Sequence, residues 1–386
     1  MSSLRPPGED PPVLEEWYRR HLGPGIHDIS SSGVHPYTFA EIRTMCRIPA
    51  EDLDAVVMDD SVSQGGAGIR QAIADRYAGG DADRVLVTHG SSEAIALTLG
   101  TLLRPGDRVV VQQGIYHSLG HYPRAAGCEL AELPAAAVRD GEIDQSVLES
   151  LVTAGTAAVV VNFPHNPSGA TLSPQGLKAL TERTASVGAT LVWDAATAEI
   201  THRWDVLPDP AATHGDTVSY GTFSKTFGLP GLRVGWAVAP PGLITATFPL
   251  RDRTTLFLSP LVELIAERAM RHADVLVRTR AAEARRNLAH LTAWMAEHED
   301  LVRWRPPEGG VCALPVFREL ERASAGPAAV ERLCLELLSR HHTLLVPGTA
   351  FGAPYGARLG FGGPEEHFRA GLAELSEFLR TRGAAR

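Results

Sequence analysis

The run Ser219-Tyr220-Gly221-Thr222-Phe223-Ser224-Lys225-Thr226-Phe227-Gly228-Leu229-Pro230-Gly231-Leu232-Arg233-Val234-Gly235-Trp236 decides the fold of this chain. It opens on a short apolar strand at 217–220 and turns through hydroxyl-bearing residues that end in an amine. An arginine follows eight residues later in a glycine-rich turn, where a second strand, 234–238, begins. Of the 36 basic residues only two are lysines, Lys178 and Lys225. In a chain that uses Arg wherever a generic positive charge suffices, a lysine in a turn after a strand is there for its amine. Lys178, within the helical stretch 175–180, reads as solvated surface. A free lysine titrates near ~10.4, so Lys225 needs an altered environment, or an imine linkage, to act at neutral pH.

Outward from that run, strands and helices alternate. Strands are expected at 85–88, 109–111, 157–162 and 190–193, with helices after Ser91 and from Pro174. Short β-rich runs separated by helices imply a mostly parallel sheet covered by helices, an α/β fold. Past Gly242 the pattern changes. A long helical region is expected over 259–299, with Arg268, Arg271, Arg278, Arg280, Arg285 and Arg286 on a solvated face. Strands at 311–317, 344–346 and 358–361, a helix near 330–341 and a last helix then make a smaller α+β unit. The expected division is an N-terminal segment, 1–50, packing with the small unit and the site; a large domain, 51–250; and a linking helix with the small domain, 251–386.

Composition narrows the function. A chain of 386 residues with 44% hydrophobic content can bury a substantial core. Its net charge of −9 repels phosphate backbones, so nucleic acid is not the expected partner. No apolar run approaches the ~20 residues of a membrane helix, and residues 1–10 lack the apolar centre of a signal peptide. Cys46, Cys128, Cys312 and Cys334 show no metal-ligand or CxxC spacing and read as reduced thiols of a cytoplasmic protein. His117 and His121 stand at i,i+4 without a third ligand, so no metal is expected.

The polar signals lie at strand ends, where open α/β sheets place ligands. His89-Gly90-Ser91-Ser92-Glu93 ends a strand and opens a helix, offering backbone N–H groups and two hydroxyls to a phosphate. Asn162-Phe163-Pro164-His165-Asn166-Pro167-Ser168-Gly169 aims an amide, that of Asn166, at the crevice. Asp194 closes an apolar strand, a costly place for a carboxylate unless a positive group, such as a protonated ring nitrogen, meets it. Phosphate cup, amide, carboxylate and lysine together are the equipment for pyridoxal 5'-phosphate (PLP).

In order and spacing these motifs resemble the class I/II aminotransferases, PLP-dependent transferases of fold type I, over nearly the whole chain. The resemblance implies that Lys225 carries the cofactor as a Schiff base and moves the Cα proton, and that Asp194 holds the pyridine nitrogen protonated. It implies that Asn166 bonds the phenolic oxygen, that Ser91, Ser92, Thr222, Ser224 and Arg233 hold the phosphate, and that Tyr116 stacks on the ring. It also implies that Arg358, in Arg358-Leu359-Gly360-Phe361, clamps the substrate carboxylate. Two departures stand out. Thr197 takes the place of a tyrosine three residues after the aspartate, and no tyrosine precedes Gly65-Gly66-Ala67-Gly68-Ile69-Arg70.

Within the family, Ser30-Ser31-Ser32-Gly33-Val34-His35 and the runs at 116–119, 161–170 and 227–236 are similar to the cyclases that form capreomycidine and streptolidine. That resemblance implies β-elimination from a hydroxylated arginine and intramolecular guanidine addition, in antibiotic biosynthesis. The segment 28–39 is then expected to cover the substrate, with Ser32, Gly33 and His35 near it, and the protein is expected to be a homodimer with a shared site. An ordinary aminotransferase acting on a small L-amino acid is the alternative that the residues leave open.

Overall fold

The computed structural model describes residues 13–384, so the polar stretch 1–10 lies outside it. A seven-stranded sheet forms the centre. Named by range, its strands run in the order Val85–Thr88, Gly235–Val238, Val218–Thr222, Thr190–Asp194, Thr156–Asn162, Arg108–Gln112 and Glu129–Leu133. Only Gly235–Val238 runs against its neighbours; the other pairings are parallel. The glycine-rich turn at 228–235 is what allows this reversal, because it returns the chain beside the strand it has just left.

Alternate residues of each inner strand face opposite sides. Val109, Val160 and Val192 pack with Ile95, Leu97 and Leu99 of the helix Ser91–Leu102. Val110, Val159, Val161, Leu191 and Trp193 pack with Leu177 and Leu180 of the helix Pro174–Ser186. Both faces are therefore apolar, which is why these strands read as unbroken hydrophobic runs.

The helical region expected over 259–299 is two helices, Pro260–Arg271 and Ala273–Glu297, meeting at His272, whose Nδ1 lies 2.9 Å from the Arg268 carbonyl. Its arginine face is not uniform. Arg280 is only 3% exposed, because its guanidinium stacks 3.7 Å from the Tyr37 ring centroid, donates to the Pro36 carbonyl and pairs with Glu283. It straps the N-terminal segment to the long helix.

The strand Ala357–Gly360 lies between Cys312–Ala313 and Val346–Pro347, and His27–Asp28 pairs in parallel with Thr343–Leu344. Leu14, Trp17, Ile29 and Val34 share one core cluster with Leu344, Val346, Phe361 and Phe368. The N-terminal segment thus packs with the C-terminal part of the chain. Gly360 makes this possible, since a Cβ there would meet the Ser31 carbonyl oxygen at 1.8 Å.

Candidate active site

The carboxyl ends of three neighbouring strands, Thr156–Asn162, Thr190–Asp194 and Val218–Thr222, set the polar floor. Asn162 and Asp194 are paired across adjacent strands, and Asp194 faces Tyr220 on the next. Above them is a cavity of about 580 Å³ lined by Ser91, Ser92, Tyr116, Asn166, Asp194, Thr222, Ser224, Lys225, Arg233 and Arg358, together with Glu15, Tyr18, Asp28, Ser32 and Asn162. Two hydrogen-bonded groups make up this wall, and they meet at Lys225.

The first group sits around the amino end of the helix Ser91–Leu102. Gly90 has φ +81°, and a Cβ on it would lie 2.7 Å from Arg233 Nη2; a Cβ on Gly235 would lie 2.3 Å from the Ser91 nitrogen. Both glycines keep this helix end and the arginine close together, an arrangement suited to an anion. Arg233 Nη1 donates to Ser224 Oγ at 3.2 Å, and Thr222 Oγ1 donates to the same oxygen at 3.1 Å. Tyr116 Oη lies 3.2 Å from Ser92 Oγ.

Asp194 is 5% exposed. Its Oδ1 accepts from the Ala196 N–H at 3.0 Å, and among the described residues its other oxygen has no hydrogen-bond partner. Burial pushes its carboxyl up to about 6, against the pull of the Ala196 N–H and the Lys225 charge. A protonated ring nitrogen is the partner such a carboxylate lacks.

The second group surrounds Arg358, which is 1% exposed. Its Nε donates to the Ser30 carbonyl at 2.9 Å, Nη1 to Asn166 Oδ1 at 3.0 Å and Nη2 to Tyr18 Oη at 2.7 Å. Asn162 supports it from below, its Oδ1 accepting from the Asn166 N–H at 2.8 Å and its Nδ2 donating to the Asp194 carbonyl at 3.0 Å. Lys225 Nζ donates to Ser32 Oγ at 2.9 Å. Burial, then the Arg358 charge, moves the Lys225 ammonium below its ordinary value.

Gly33 and His35 are not on the cavity wall. After Ser32 the chain turns away: Val34 is buried, with its N–H directed at the Lys225 carbonyl at 3.5 Å, and the His35 N–H donates to the Gly362 carbonyl at 2.8 Å. The His35 ring lies beside Arg280, 3.4 Å from Nη1. Thr197 lines the cavity, but its hydroxyl donates to the Pro164 carbonyl at 3.0 Å.

Sequence reasoning missed Glu15, Tyr18 and Asn162, and took Asp28 only as the first residue of the covering segment 28–39. The helix Val13–His21 carries the first two, and its only readable signal was the pairing of Leu14 with Trp17 three residues on, both of them buried. Asn162 was visible as the polar end of a buried strand.

Residues 63–375 match the family described as aminotransferase class I and II. The chain belongs to that family, and it is a PLP-dependent enzyme of fold type I; the helix-end cradle and the half-partnered Asp194 fit the cofactor. The chain is 41% identical to capreomycidine synthase of Streptomyces vinaceus, over 97% of this chain and 95% of that one. A solved PLP-dependent cyclase, OrfR, determined in complex with Au, is 82% identical, with a TM-score of 0.97 over 99% of this chain and 100% of that one. A PLP-dependent aminotransferase from Streptococcus suis 89-1591 is 26% identical, with a TM-score of 0.88 over 96% of this chain and 97% of that one. Among the described residues no helix is long and apolar enough to cross a membrane.

Proposed function

We propose that this chain is a cyclase that converts a β-hydroxylated arginine, 3-hydroxy- or 3,4-dihydroxyarginine, into a cyclic guanidino amino acid of the capreomycidine or streptolidine type. The β-hydroxyl leaves as water and a guanidine nitrogen of the same side chain bonds to Cβ. The observation that carries the reading is Ser32 on Lys225 at 2.9 Å. It puts the segment that resembles such cyclases directly on the catalytic amine. Similarity to capreomycidine synthase and to the cyclase OrfR supports it.

When bound, PLP supplies an electron sink for the pair left at the substrate Cα. Lys225 takes the Cα proton and later returns it; its lowered proton affinity favours the neutral amine that this requires. Asp194 stabilises a protonated pyridine nitrogen, and the Asn166 amide meets the phenolic oxygen. Ser91, Ser92, Thr222, Ser224 and Arg233 hold the phosphate, with Tyr116 against the ring. Arg358 receives the substrate carboxylate, pre-aimed by Asn166, Tyr18 and Ser30. Leu14 of the helix Val13–His21 and Leu22 just after it form apolar cover on the cavity, which keeps water from competing with the guanidine. Ring closure is intramolecular, so a site that holds the folded conformer removes most of its entropic cost.

The deciding experiment incubates PLP-loaded enzyme with 3-hydroxyarginine and no added keto acid. The reading predicts a product lighter by one water that keeps every nitrogen. Accumulation of a keto acid, dependent on an added amino acceptor, would establish the aminotransferase alternative instead.

A homodimer with a shared site belongs to the same reading. Val57, Met58 and Val62 are 75%, 71% and 60% exposed, close together in the chain, an apolar stretch that a second copy would cover. All four cysteines are free thiols, which suits a reducing cytoplasm.

A further inference from the structure

The helix Val13–His21 is fixed by Trp17, whose ring is in the core and whose Nε1 donates to the Leu345 carbonyl at 3.0 Å. With that side inward, residues at i, i+3 and i+7 lie over the cavity: Glu15, Tyr18 and Leu22 all line it. The adjacent glutamate faces the other way, and Glu16 pairs with both Arg19 and Arg20 at 2.6 Å. Glu15 has no hydrogen bond or ion pair among the described residues, although its charge is felt at Lys225, Tyr116 and His117.

The other charges on this wall are already engaged. Arg358 gives three of its five N–H donors to Ser30, Asn166 and Tyr18, and the remaining two are left for a carboxylate. Arg233 belongs to the phosphate cradle, and Asp194 and Lys225 face the cofactor ring. Asp28 Oδ1 accepts from both the N–H and the Oγ of Ser30, at 2.9 and 2.5 Å. Among the described residues one uncommitted carboxylate remains on this wall, Glu15, three residues and about 4.5 Å of helix rise before the tyrosine that touches Arg358.

We propose that Glu15 receives the guanidinium of the substrate, so that Arg358 and Glu15 grip the two ends of one guanidino amino acid. This assignment rests on the cyclase reading given above. A guanidinium brought into a partly buried cavity without an anion is costly, whereas a carboxylate can take it through two parallel N–H···O bonds. Holding the guanidinium by one edge leaves its remaining nitrogen available to reach Cβ. The same helix thereby positions the carboxylate clamp through Tyr18 and the cation through Glu15.

The test measures binding to PLP-loaded enzyme, by calorimetry and by the change in cofactor absorbance, for L-arginine and for its neutral isostere L-citrulline. Wild type is expected to prefer arginine by at least tenfold. Glu15→Gln is expected to lose that preference by weakening arginine tenfold or more while leaving citrulline unchanged, and Glu15→Asp to recover part of it. A melting temperature equal to wild type for both variants excludes a folding effect. If Glu15→Gln keeps the arginine preference, the assignment of Glu15 is wrong while the substrate reading stands. If wild type itself shows no preference, the assignment and the guanidino substrate fall together.

Discussion

At the cofactor end of the cavity almost every polar wall residue stands within a few positions of the end of a central-sheet strand: Ser91 after Val85–Thr88, Asp194 closing its own strand, Ser224 and Lys225 after Val218–Thr222. At the other end, where we propose the substrate binds, Glu15, Tyr18, Asp28 and Ser32 come from the N-terminal segment, and Arg358, hydrogen-bonded to Tyr18 at 2.7 Å, lies 340 positions after it. The first end is a consequence of the sheet. The second exists only because His27–Asp28 pairs with Thr343–Leu344 and the segment after it lies against Gly360. Chemistry common to the family can therefore stay fixed at one end while the substrate changes at the other.

That division can be broken by substitution. Lys225→Ala is expected to abolish turnover, by at least about 10³-fold in kcat, while the phosphate cradle still binds PLP. Steady-state turnover alongside a cofactor-retention assay checks it, and turnover near wild type would sink the two-ended account at its root. Asp194→Asn keeps the shape and the Ala196 contact but removes the charge, and a loss of about 10²-fold in kcat is expected. Tyr18→Phe takes one acceptor from Arg358 and should raise KM about tenfold with kcat nearly unchanged. A fall in kcat with KM unchanged would mean that Tyr18 belongs to the chemical end.

The smallest effect on turnover is expected from His165, which lies behind both ends. Its Nε2 is 3.0 Å from the Gln113 carbonyl and its Nδ1 is 2.7 Å from Ser168 Oγ. That pattern suits the neutral ring, with Nε2–H donating and Nδ1 accepting. Burial holds the ring down to about 4, below the unfolded value near ~6.5. A depressed folded value means that its stabilisation is complete above pH 6.5 and is lost as pH falls towards 4, by roughly 3 kcal/mol. Asp194 and Asp209, pushed up to about 6 by burial, act with the opposite sign, but they are common to wild type and His165→Gln. The gap in melting temperature between the two proteins should therefore narrow between pH 6.5 and 4. A gap that is constant with pH would show that the folded protein tolerates the charged ring.

The legibility of the sequence follows the same division. Buried parallel strands announce themselves as apolar runs, and a polar residue that closes such a run, as Asp194 does, or stands in the turn just after it, as Asn166 and Lys225 do, has few roles open to it. Arg280 could not: its spacing resembles its exposed neighbours, and only the fold brings Tyr37 over it at 3.7 Å. Glu15 and Tyr18 sit in a nine-residue helix with three flanking charges of ordinary appearance, Glu16, Arg19 and Arg20. Their place depends on pairing with residues more than 300 positions away, which no local pattern encodes. Gly33 and His35 share a motif with Ser32, yet the chain direction changes just after it, so that of the three only Ser32 lines the cavity.

The most direct test of the two-ended account removes residues 1–26 and follows three signals in one PLP-loaded preparation: cofactor absorbance, exchange of the arginine Cα proton with deuterated solvent, and cyclisation of 3-hydroxyarginine. The account predicts that the first two persist and that ring closure fails, with uncyclised or hydrolysed product in its place. Cyclisation at the full rate by the shortened chain would contradict it.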